Sequence, residues 1–466
     1  MSDFTTTTDA PELTSLRRDL SGSLHLPGDD GWDAARQAWN LAVDQRPAAV
    51  ARPADADDVA AAVAFARRSG LRIVPQGTGH GAAALGGSQT GALLLKTAAL
   101  DAIEIDAGAR RARVGAGALW GEVAVRAGAD GLVALHGTSI DVGVVGYTLG
   151  GGLGWLGREH GLASERVTAI ELVTADGERR RVDAGSVGVE RELFWALRGG
   201  GGGFGVVTAL EFELLPLREV WAGSLFWPGD AARDVLNAYR EWAAAAPEQV
   251  TSIARLLRLP DLPMVPEPLR GRAVVDVCLA FAGEAADGEE LVRPLRAVAP
   301  PLIDTLATIP APQLATLHGD PEQPVPGIGH HTVLERLTPA AVDALVEVAG
   351  HASGSPLLAV ELRQLGGALG RRREGAGALG SIDGGFVLYG IGTPVTPAVG
   401  RAVGERLDAV VAAMAPWSTG GACRNFAERP GAGGRLFDAA TRARLAALKA
   451  AVDPDGLIVA PHPPEG

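Results

Sequence analysis

The chain has 466 residues, of which 47% are hydrophobic and 21% charged, and its formal net charge is −13. This length favours two domains, and the composition is typical of a folded rather than a disordered protein. The acidic balance argues against an extended nucleic-acid surface, and no segment is apolar for long enough to span a bilayer. The N-terminus lacks the pattern of a signal peptide, and two cysteines form no disulfide framework. We therefore expect a cytoplasmic protein, and we predict no metal site.

In the first half, short elements alternate with loops rich in glycine. Residues 57–69 predict an amphipathic helix with Asp at its start and Gly70 just past its end. Residues 71–75 predict a buried strand that leads directly into the loop QGTGHGAAALGG. Further predicted elements are strands at 91–95, 111–117 and 206–216, a helix at 118–128, a strand pair closed by an Asp-Gly turn at 166–183, and a short helix at 192–200. Glycines that crowd between apolar segments indicate backbone that approaches something closely.

After Pro216 the glycine clusters end, and longer helices alternate with strands. Helices are predicted at 231–246, 338–350 and 398–414, and strands at 357–365 and 385–392. This pattern indicates a second, α+β domain. The tail from 435 predicts one amphipathic helix that ends at an Asp-Pro pair and then a strand-like end.

Two segments match the dinucleotide-binding pattern G-x-G-x-x-G/A of a Rossmann domain, but neither has the required structural context. The match that starts at Gly77 follows a strand, but the loop runs on without opening a helix, and the next strand ends in Lys96 instead of an acidic residue. The match that starts at Gly200 follows a helix and leads into a strand, which is the reverse of the required order. A Rossmann domain is therefore not predicted.

The order of these motifs resembles the FAD-linked oxidases of the vanillyl-alcohol oxidase and para-cresol methylhydroxylase superfamily, and within it the berberine-bridge-enzyme-like group. The matching segments are 46–81, 142–177, 193–208 and the tail motif NFAE at 425–428. The resemblance implies an α+β fold in which a two-part FAD-binding domain is interrupted by an antiparallel-sheet substrate domain with helices. We expect an FAD-binding domain at 1–217 with its core at about 46–217, a substrate domain at 218–416, and a C-terminal segment at 417–466 that returns to the FAD domain.

The resemblance also implies which residues hold FAD. In the family the glycine-rich loop wraps the phosphates, its histidine bonds the flavin covalently, and the segment after 138 lies along the cofactor. The matching positions here are Gln76, Gly77, Thr78, Gly79, His80, Gly81, Thr138, Ser139, Val142, Gly143, Gly146, Tyr147, Gly150, Gly151, Gly152, Gly154, Val206, Val207 and Asn425. A loop that offers consecutive backbone N–H groups also forms an anion-binding concavity suited to a pyrophosphate.

His80 occupies the position of the family's linking histidine, and a neutral imidazole is a competent nucleophile near pH 7. The alternative is a histidine that only hydrogen-bonds the loop. Many relatives make a second link through a cysteine, and Ser139 stands there in this chain. The sequence therefore allows one covalent link or none. Three residues after Ser139, Val142 occupies the position that in the family lines the space where dioxygen meets the reduced flavin.

The family's catalytic tyrosines are replaced by Leu153 and Cys423, and we interpret Cys423 as a buried residue rather than a nucleophile. Catalytic candidates that remain are Glu361, Gln364 and Tyr389, together with Val142. Alternation along the strand at 357–365 places Glu361 and Arg363 on one face and Gln364 on the other. As an alternative, Glu361 and Arg363 pair only with neighbouring strands. His330 and His331 are further candidates in a predicted loop, and the RRRE run at 371–374 predicts a solvated loop.

The predicted function is that of an oxidase that takes hydride from a carbon bearing a hydroxyl or amine, with a small-molecule substrate and dioxygen as its partners. Loss of the family tyrosines disfavours a sugar-alcohol substrate and favours an amine or an activated alcohol. The rival hypotheses are a dehydrogenase that uses another acceptor and a protein that sequesters flavin or a drug without turnover. The sequence specifies no oligomeric state.

Overall fold

The computed structural model describes residues 10–87 and 89–463. Its helices of eight residues or more are Ala10–Asp19, Ala56–Ser69, Trp120–Ala129, Gly188–Leu197, Ala232–Ala245, Ala285–Arg296, Pro339–Ala349, Pro397–Met414 and Ala439–Val452. The strands form three main sheets, which confirms the predicted mixture of helices and sheets. None of the helices in the described ranges combines the length and the apolar character needed to cross a bilayer.

The first sheet carries the glycine-rich loop at its end. It has four strands in the order Ser23–His25, Ala49–Arg52, Ala92–Lys96 and Arg72–Gln76, of which the last three run parallel. The helix Ala56–Ser69 begins where the Asp55 carboxylate accepts the N–H groups of Asp57 and Asp58, and it ends at Gly70, whose φ is +66°. The terminal Gly70 is the one that the sequence predicts, whereas the capping Asp55 lies two residues before the predicted start.

The second sheet is antiparallel and has five strands. In spatial order they are Ile103–Asp106, Arg111–Gly115, Val206–Glu213, Val167–Val173 and Arg179–Asp183. A buried core that includes Trp120, Tyr147 and Phe212 packs between this sheet and the glycine-rich segments. Val206 and Val207, both predicted to contact cofactor, pair with the strand Val167–Val173 in the middle of the sheet.

The third sheet has eight antiparallel strands. Seven of them run across the sheet in the order Ile303–Asp304, Glu219–Pro228, Ala273–Phe281, Val250–Arg258, Ala359–Gln364, Phe386–Gly392 and Ile328–Leu334, and Ala307–Pro310 pairs beside the second. One face packs on the helices Ala232–Ala245, Pro339–Ala349 and Pro397–Met414 through a core that includes Leu256 and Leu388. The opposite face contributes Ile253 and Cys278 to the core that holds Trp120.

The tail returns to the first half of the chain. Ile458 forms a parallel bridge with Ile73, and the Lys449 ammonium donates to the carbonyl oxygens of Gly203 and Ile458 at 2.7 Å each. The prediction of one helix from 435 is wrong in its start. A short helix, Gly433–Leu436, ends before Asp438, whose carboxylate accepts the Thr441 N–H and so begins a new helix at Ala439.

A second correction concerns His330 and His331, which the sequence places in a loop. Both lie on the strand Ile328–Leu334, where pairing with Phe386–Gly392 overrides the preceding Pro-Gly turn signal. The 371–374 run is exposed, as predicted.

Candidate active site between the glycine-rich loop and the third sheet

We call residues 77–81 the cofactor loop. It begins where the strand Arg72–Gln76 stops pairing with its neighbour, and a short 3₁₀ helix, Ala82–Leu85, follows it. Gln76 is buried, and its amide donates to Gln45 and accepts from Lys96, both at 2.8 Å. Although Gln76 is predicted to contact the cofactor, its side chain therefore anchors the base of the loop from inside the protein.

His80 lies half-buried at the far end of the cofactor loop. The Trp39 ring stacks on it with centroids 3.9 Å apart, and the Trp39 indole donates to the Asp141 carboxylate. The His80 Nε2 atom is 3.3 Å from the Asp141 carbonyl oxygen and 3.6 Å from its Oδ1. Burial lowers the pKa of His80, and the Asp141 charge opposes this only in part. The ring is consequently neutral near pH 7, the form in which imidazole is a nucleophile.

The segment 138–143 lies directly against the cofactor loop, as the sequence predicts for a shared site. The Ser139 hydroxyl donates to Asp141 Oδ1 at 2.9 Å, and the Thr138 hydroxyl lies 3.3 Å from Asp320. A Cβ on Gly143 would lie 3.8 Å from the Thr78 methyl group. Val142 is half-buried and packs against the main core.

Apart from Gly79, where an added Cβ would lie 3.0 Å from Ala38, the glycines predicted to line the cofactor divide into two sets. A Cβ added to Gly81 or Gly146 would meet nothing within 4 Å, and at Gly77 and Gly143 its nearest neighbours are 3.8 Å away. These four present open backbone to a ligand, and this is the fit that a bound FAD requires. The second set would place a Cβ against the protein itself, at 2.9 Å or less from Asn425, Leu379, Tyr147 or the His136 carbonyl, and comprises Gly150, Gly151, Gly152 and Gly154. Internal packing explains the second set.

Asn425 is the residue that holds the second set in place. Its amide oxygen accepts the Gly152 N–H and its amide nitrogen donates to the Tyr147 carbonyl, each at 3.0 Å. Tyr147 is itself buried and donates its hydroxyl to the Leu135 carbonyl at 3.3 Å. The Asn425 and Tyr147 side chains are therefore bonded to backbone groups of the protein. They position the backbone of the segment 147–152 rather than offer these side-chain groups to FAD.

We expect Asn425→Ala to lower the free energy of unfolding by about 2 kcal/mol, because a backbone donor and acceptor lose their partner in a partly buried place. Urea unfolding followed by circular dichroism measures this change. The matched control is Asn237→Ala, since Asn237 bonds only to Arg233 and Arg240 of its own helix. Equal losses in both variants would contradict the assignment of Asn425 as a clamp between the tail and the segment 147–152.

A row of polar side chains crosses five strands of the third sheet. These residues are direct cross-strand neighbours, so their side chains share one face. In order they are Asp276, Arg255, Glu361, Tyr389 and His331. The face is the one that contributes to the core with Trp120, and it therefore looks toward the half of the chain that carries the cofactor loop. We call these five residues the polar row.

Glu361 is saturated by charged partners. Its carboxylate lies 3.1 Å from His318 Nε2 and 2.8 Å from Arg363 Nη2, and Asp320 holds the other His318 nitrogen at 2.7 Å. Burial alone would raise the pKa of Glu361, but Arg363 and His318 hold it far below its ordinary range. Burial alone would lower the pKa of His318, but the Asp320 and Glu361 carboxylates raise it. A carboxylate so strongly stabilised is a weak proton acceptor and suits orientation better than base catalysis.

Tyr389 has a different partner. Its hydroxyl donates to Glu428 Oε1 at 2.5 Å, and the Phe426 ring packs on the tyrosine with centroids 5.3 Å apart. Burial raises the pKa of Glu428, and the hydrogen bond from Tyr389 lowers it by less, so the pKa is raised overall. Burial and the neighbouring carboxylate both raise the pKa of Tyr389. The two groups form a partly buried phenol–carboxylate pair that shares one proton.

The placement of Gln364 differs from the hypothesis that groups it with Tyr389. Its side chain points to the opposite face of the sheet, as strand alternation predicts, and that face packs on helices. There Gln364 accepts from the Ser252 hydroxyl and donates to the Ala243 carbonyl, both at 2.7 Å. This amide completes the packing of a helix on the sheet.

Cys423 is buried at 1% exposure, and burial raises the pKa of its thiol to about 12. Its backbone N–H donates to His331 Nε2 at 3.0 Å. Burial, with His330 next, lowers the pKa of His331 to about 3, so this ring stays neutral as an acceptor. The prediction of a buried cysteine is confirmed. Among the described residues, no cluster of His, Cys, Asp or Glu has the arrangement of a metal site.

Comparison with known proteins identifies an FAD-binding domain in part of the chain. Residues 47–183 match the model of an FAD binding domain family. The chain is 37% identical to (R)-6-hydroxynicotine oxidase of Paenarthrobacter nicotinovorans over 209 residues, 45% of each chain. It is 35% identical to glucooligosaccharide oxidase of Sarocladium strictum over 224 residues, 47% of this chain and 44% of that one. These alignments therefore cover somewhat less than half the length of both curated relatives.

Two solved structures share the fold across nearly the whole chain. The 6-hydroxy-D-nicotine oxidase of Arthrobacter nicotinovorans has a TM-score of 0.81 at 24% identity and covers 96% of this chain and 98% of its own. The wild-type berberine-bridge-enzyme-like protein 1 of Physcomitrella patens has a TM-score of 0.81 at 20% identity, with 97% and 99% covered. These matches define a flavoprotein fold with a para-cresol methylhydroxylase-type FAD-binding domain. The FAD-binding domain match over residues 47–183 and the shared fold support the resemblance, stated from the sequence, to the vanillyl-alcohol oxidase superfamily and its berberine-bridge-enzyme-like group.

Proposed function

We propose that this protein is an FAD-dependent oxidase of a small alcohol or amine, with dioxygen as the electron acceptor and hydrogen peroxide as the product. The observation that carries the proposal is the partly buried pair of Glu428 with Tyr389, whose side chain lies on the sheet face that looks toward the cofactor loop. When bound, FAD would accept the hydride from the substrate carbon. Residues 1–217 and 417–466 would form the FAD-binding part and 218–416 the substrate part. Both cysteines are free and buried, which suits the cytoplasmic location that we also propose.

The chain's own residues would handle the proton. As the C–H bond of the substrate breaks, its O–H or N–H proton passes to the Tyr389 oxygen while the tyrosine proton moves to Glu428. Glu361, fixed by His318 and Arg363, would stay ionised and keep the polar row in place beside Tyr389. Backbone groups of the cofactor loop and of Gly143 and Gly146 would bind the cofactor phosphates.

We expect FAD to be attached covalently to His80, because the ring is neutral, held by Trp39 and placed at the end of the cofactor loop. Acid-precipitated protein should stay yellow and fluorescent, and mass mapping should place the flavin on the peptide that contains His80. The control variant His160→Ala lacks another partly buried histidine, outside the loop, and should retain the flavin as the wild type does. Release of all FAD from the wild type on denaturation would contradict the covalent link while leaving the oxidase proposal intact.

The proposed function is tested by mixing purified yellow protein, without oxygen, with alcohols, amines and dihydroaromatic compounds. Bleaching of the flavin absorbance by at least one compound, and recovery with peroxide on admission of air, is the expected result. Bleaching without recovery would indicate a dehydrogenase. Tight binding with no bleaching by any compound would indicate a sequestering protein instead.

A further inference from the structure

A cavity of about 500 Å³ lies beside the edge strand Ile328–Leu334. One wall comes from residues 41–43 and from Ala83, in the 3₁₀ helix that follows the cofactor loop, and the other from the third sheet and residues 394–400. Its volume is within the usual range of small-molecule sites. The side chains that line it are largely aliphatic, among them Leu41, Val43, Pro326, Ile328, Val395 and Pro430.

The cavity reaches the Tyr389–Glu428 pair. Glu428 is one of its lining residues, and Gly329 lines it at the same end. A Cβ on Gly329 would lie 2.6 Å from both Glu428 Oε2 and the Tyr389 hydroxyl oxygen. Any larger residue at this position would therefore press on the pair. Glycine here keeps the polar end of the cavity open to the two groups that would take the proton.

At the polar end of the cavity, the charged group available to a ligand is the Glu428 carboxylate. The Arg429 guanidinium pairs with Asp408, so its charge is compensated, and the Glu428 carboxylate already accepts from Tyr389 and from the Gly329 backbone. A carboxylate has room for a further donor. The remaining polar side chain in the lining is Thr396. A ligand with one donor group could satisfy this end, whereas a molecule with many hydroxyls would lose its bonds to water without replacement.

We propose that this cavity is the substrate site, and that it takes a compact, mainly apolar alcohol or amine rather than a carbohydrate. The proposal rests on the oxidase function proposed above and adds the class of its substrate. The apolar body would lie along Val43, Ile328 and Pro430, and the hydroxyl or amine group would lie at the polar end, beside the Tyr389–Glu428 pair. Leu41 and Val395, which are 43% and 70% exposed, form an apolar mouth through which such a molecule enters.

Calorimetric titration of the flavin-loaded protein tests the site without relying on turnover. The probes are 3-phenylpropan-1-ol, 3-phenylpropylamine and cellobiose. We expect at least one phenylpropyl compound to bind saturably and cellobiose not to bind. Val395→Glu places a charge in the apolar mouth and should weaken binding by about tenfold or more. Gly329→Ala should weaken it at the polar end.

The matched control is Met264→Glu, because Met264 is an apolar residue of similar exposure, 79%, on a different surface. It should leave binding unchanged. Cellobiose binding in preference to both phenylpropyl compounds, or equal affinities in wild type and Val395→Glu, would overturn the assignment. Flavin reduction by a substrate that binds the wild type, Val395→Glu and Gly329→Ala with equal affinity would also overturn the assignment, and the oxidase function would then stand. The absence of bleaching by every compound, with normal binding to the cavity, would instead remove the oxidase function.

Discussion

Tyr389→Phe and Glu428→Gln should each slow anaerobic reduction of the flavin by substrate roughly 10²–10⁴-fold, the range associated with loss of a general base. The phenol and the carboxylate are 2.5 Å apart and share one proton, so removal of either breaks the same relay. Stopped-flow absorbance under saturating substrate measures the rate. Flavin content and the resting spectrum should remain those of the wild type, since neither side chain belongs to the cofactor loop.

The pH dependence follows from the sign of the shift on Glu428. Burial raises its pKa, so the carboxylate is protonated, and the relay blocked, at a higher pH than for an ordinary glutamate. The reductive rate should fall as the pH drops through that raised pKa, and Glu428→Gln should remove this acid limb. Tyr239→Phe is the control, because Tyr239 is buried behind the sheet and bonds Ser252. A full rate in both Tyr389→Phe and Glu428→Gln would place the chemistry elsewhere.

Prediction from the sequence succeeded where local signals agree with tertiary packing. The helix Ala56–Ser69 has a capping Asp and a terminal Gly, and the strand Arg72–Gln76 is a short apolar run, so both are recognisable alone. The break before Ala439 was missed because the amphipathic pattern continues across it, and only the Asp438 side chain shows where the new helix starts. For His331, strand pairing with a partner far along the chain decides the conformation.

The candidate site was only partly predictable for a similar reason. Strand alternation places Glu361 and Gln364 on opposite faces of the sheet. Which face turns toward the cofactor loop depends on where the helices pack, and the sequence carries no periodic signal for that. His318 and Asp320 come from an irregular segment and reach Glu361 only through the fold. Glu428 stands three residues after Asn425 within a recognised motif, so its acidic side chain was a usable signal for a residue of the site.

The position of Val142 leads to the second large effect, on the reaction with dioxygen. Val142 follows Asp141, whose carbonyl contacts His80, and its half-buried side chain packs against the main core. We expect Val142→Ile to slow reoxidation of the reduced flavin. An extra methylene in a close-packed site costs about 1–3 kcal/mol, which corresponds to roughly 10–100-fold in rate if it falls on the approach of dioxygen. Anaerobic reduction should stay near the wild-type rate, because Tyr389 and Glu428 are untouched.

Stopped-flow mixing of photoreduced protein with oxygenated buffer measures reoxidation without any knowledge of the substrate. Val125→Ile is the matched control, since Val125 is 68% exposed on the neighbouring helix Trp120–Ala129 and an added methylene there meets solvent. If Val142 is ordinary packing beside Gly143, the isoleucine variant will lose stability or flavin and will reoxidise at the wild-type rate. Slow reoxidation already in the wild type would point to a dehydrogenase. A selective loss of oxygen reactivity, with flavin content and reduction unchanged, is the result that a gate for dioxygen requires.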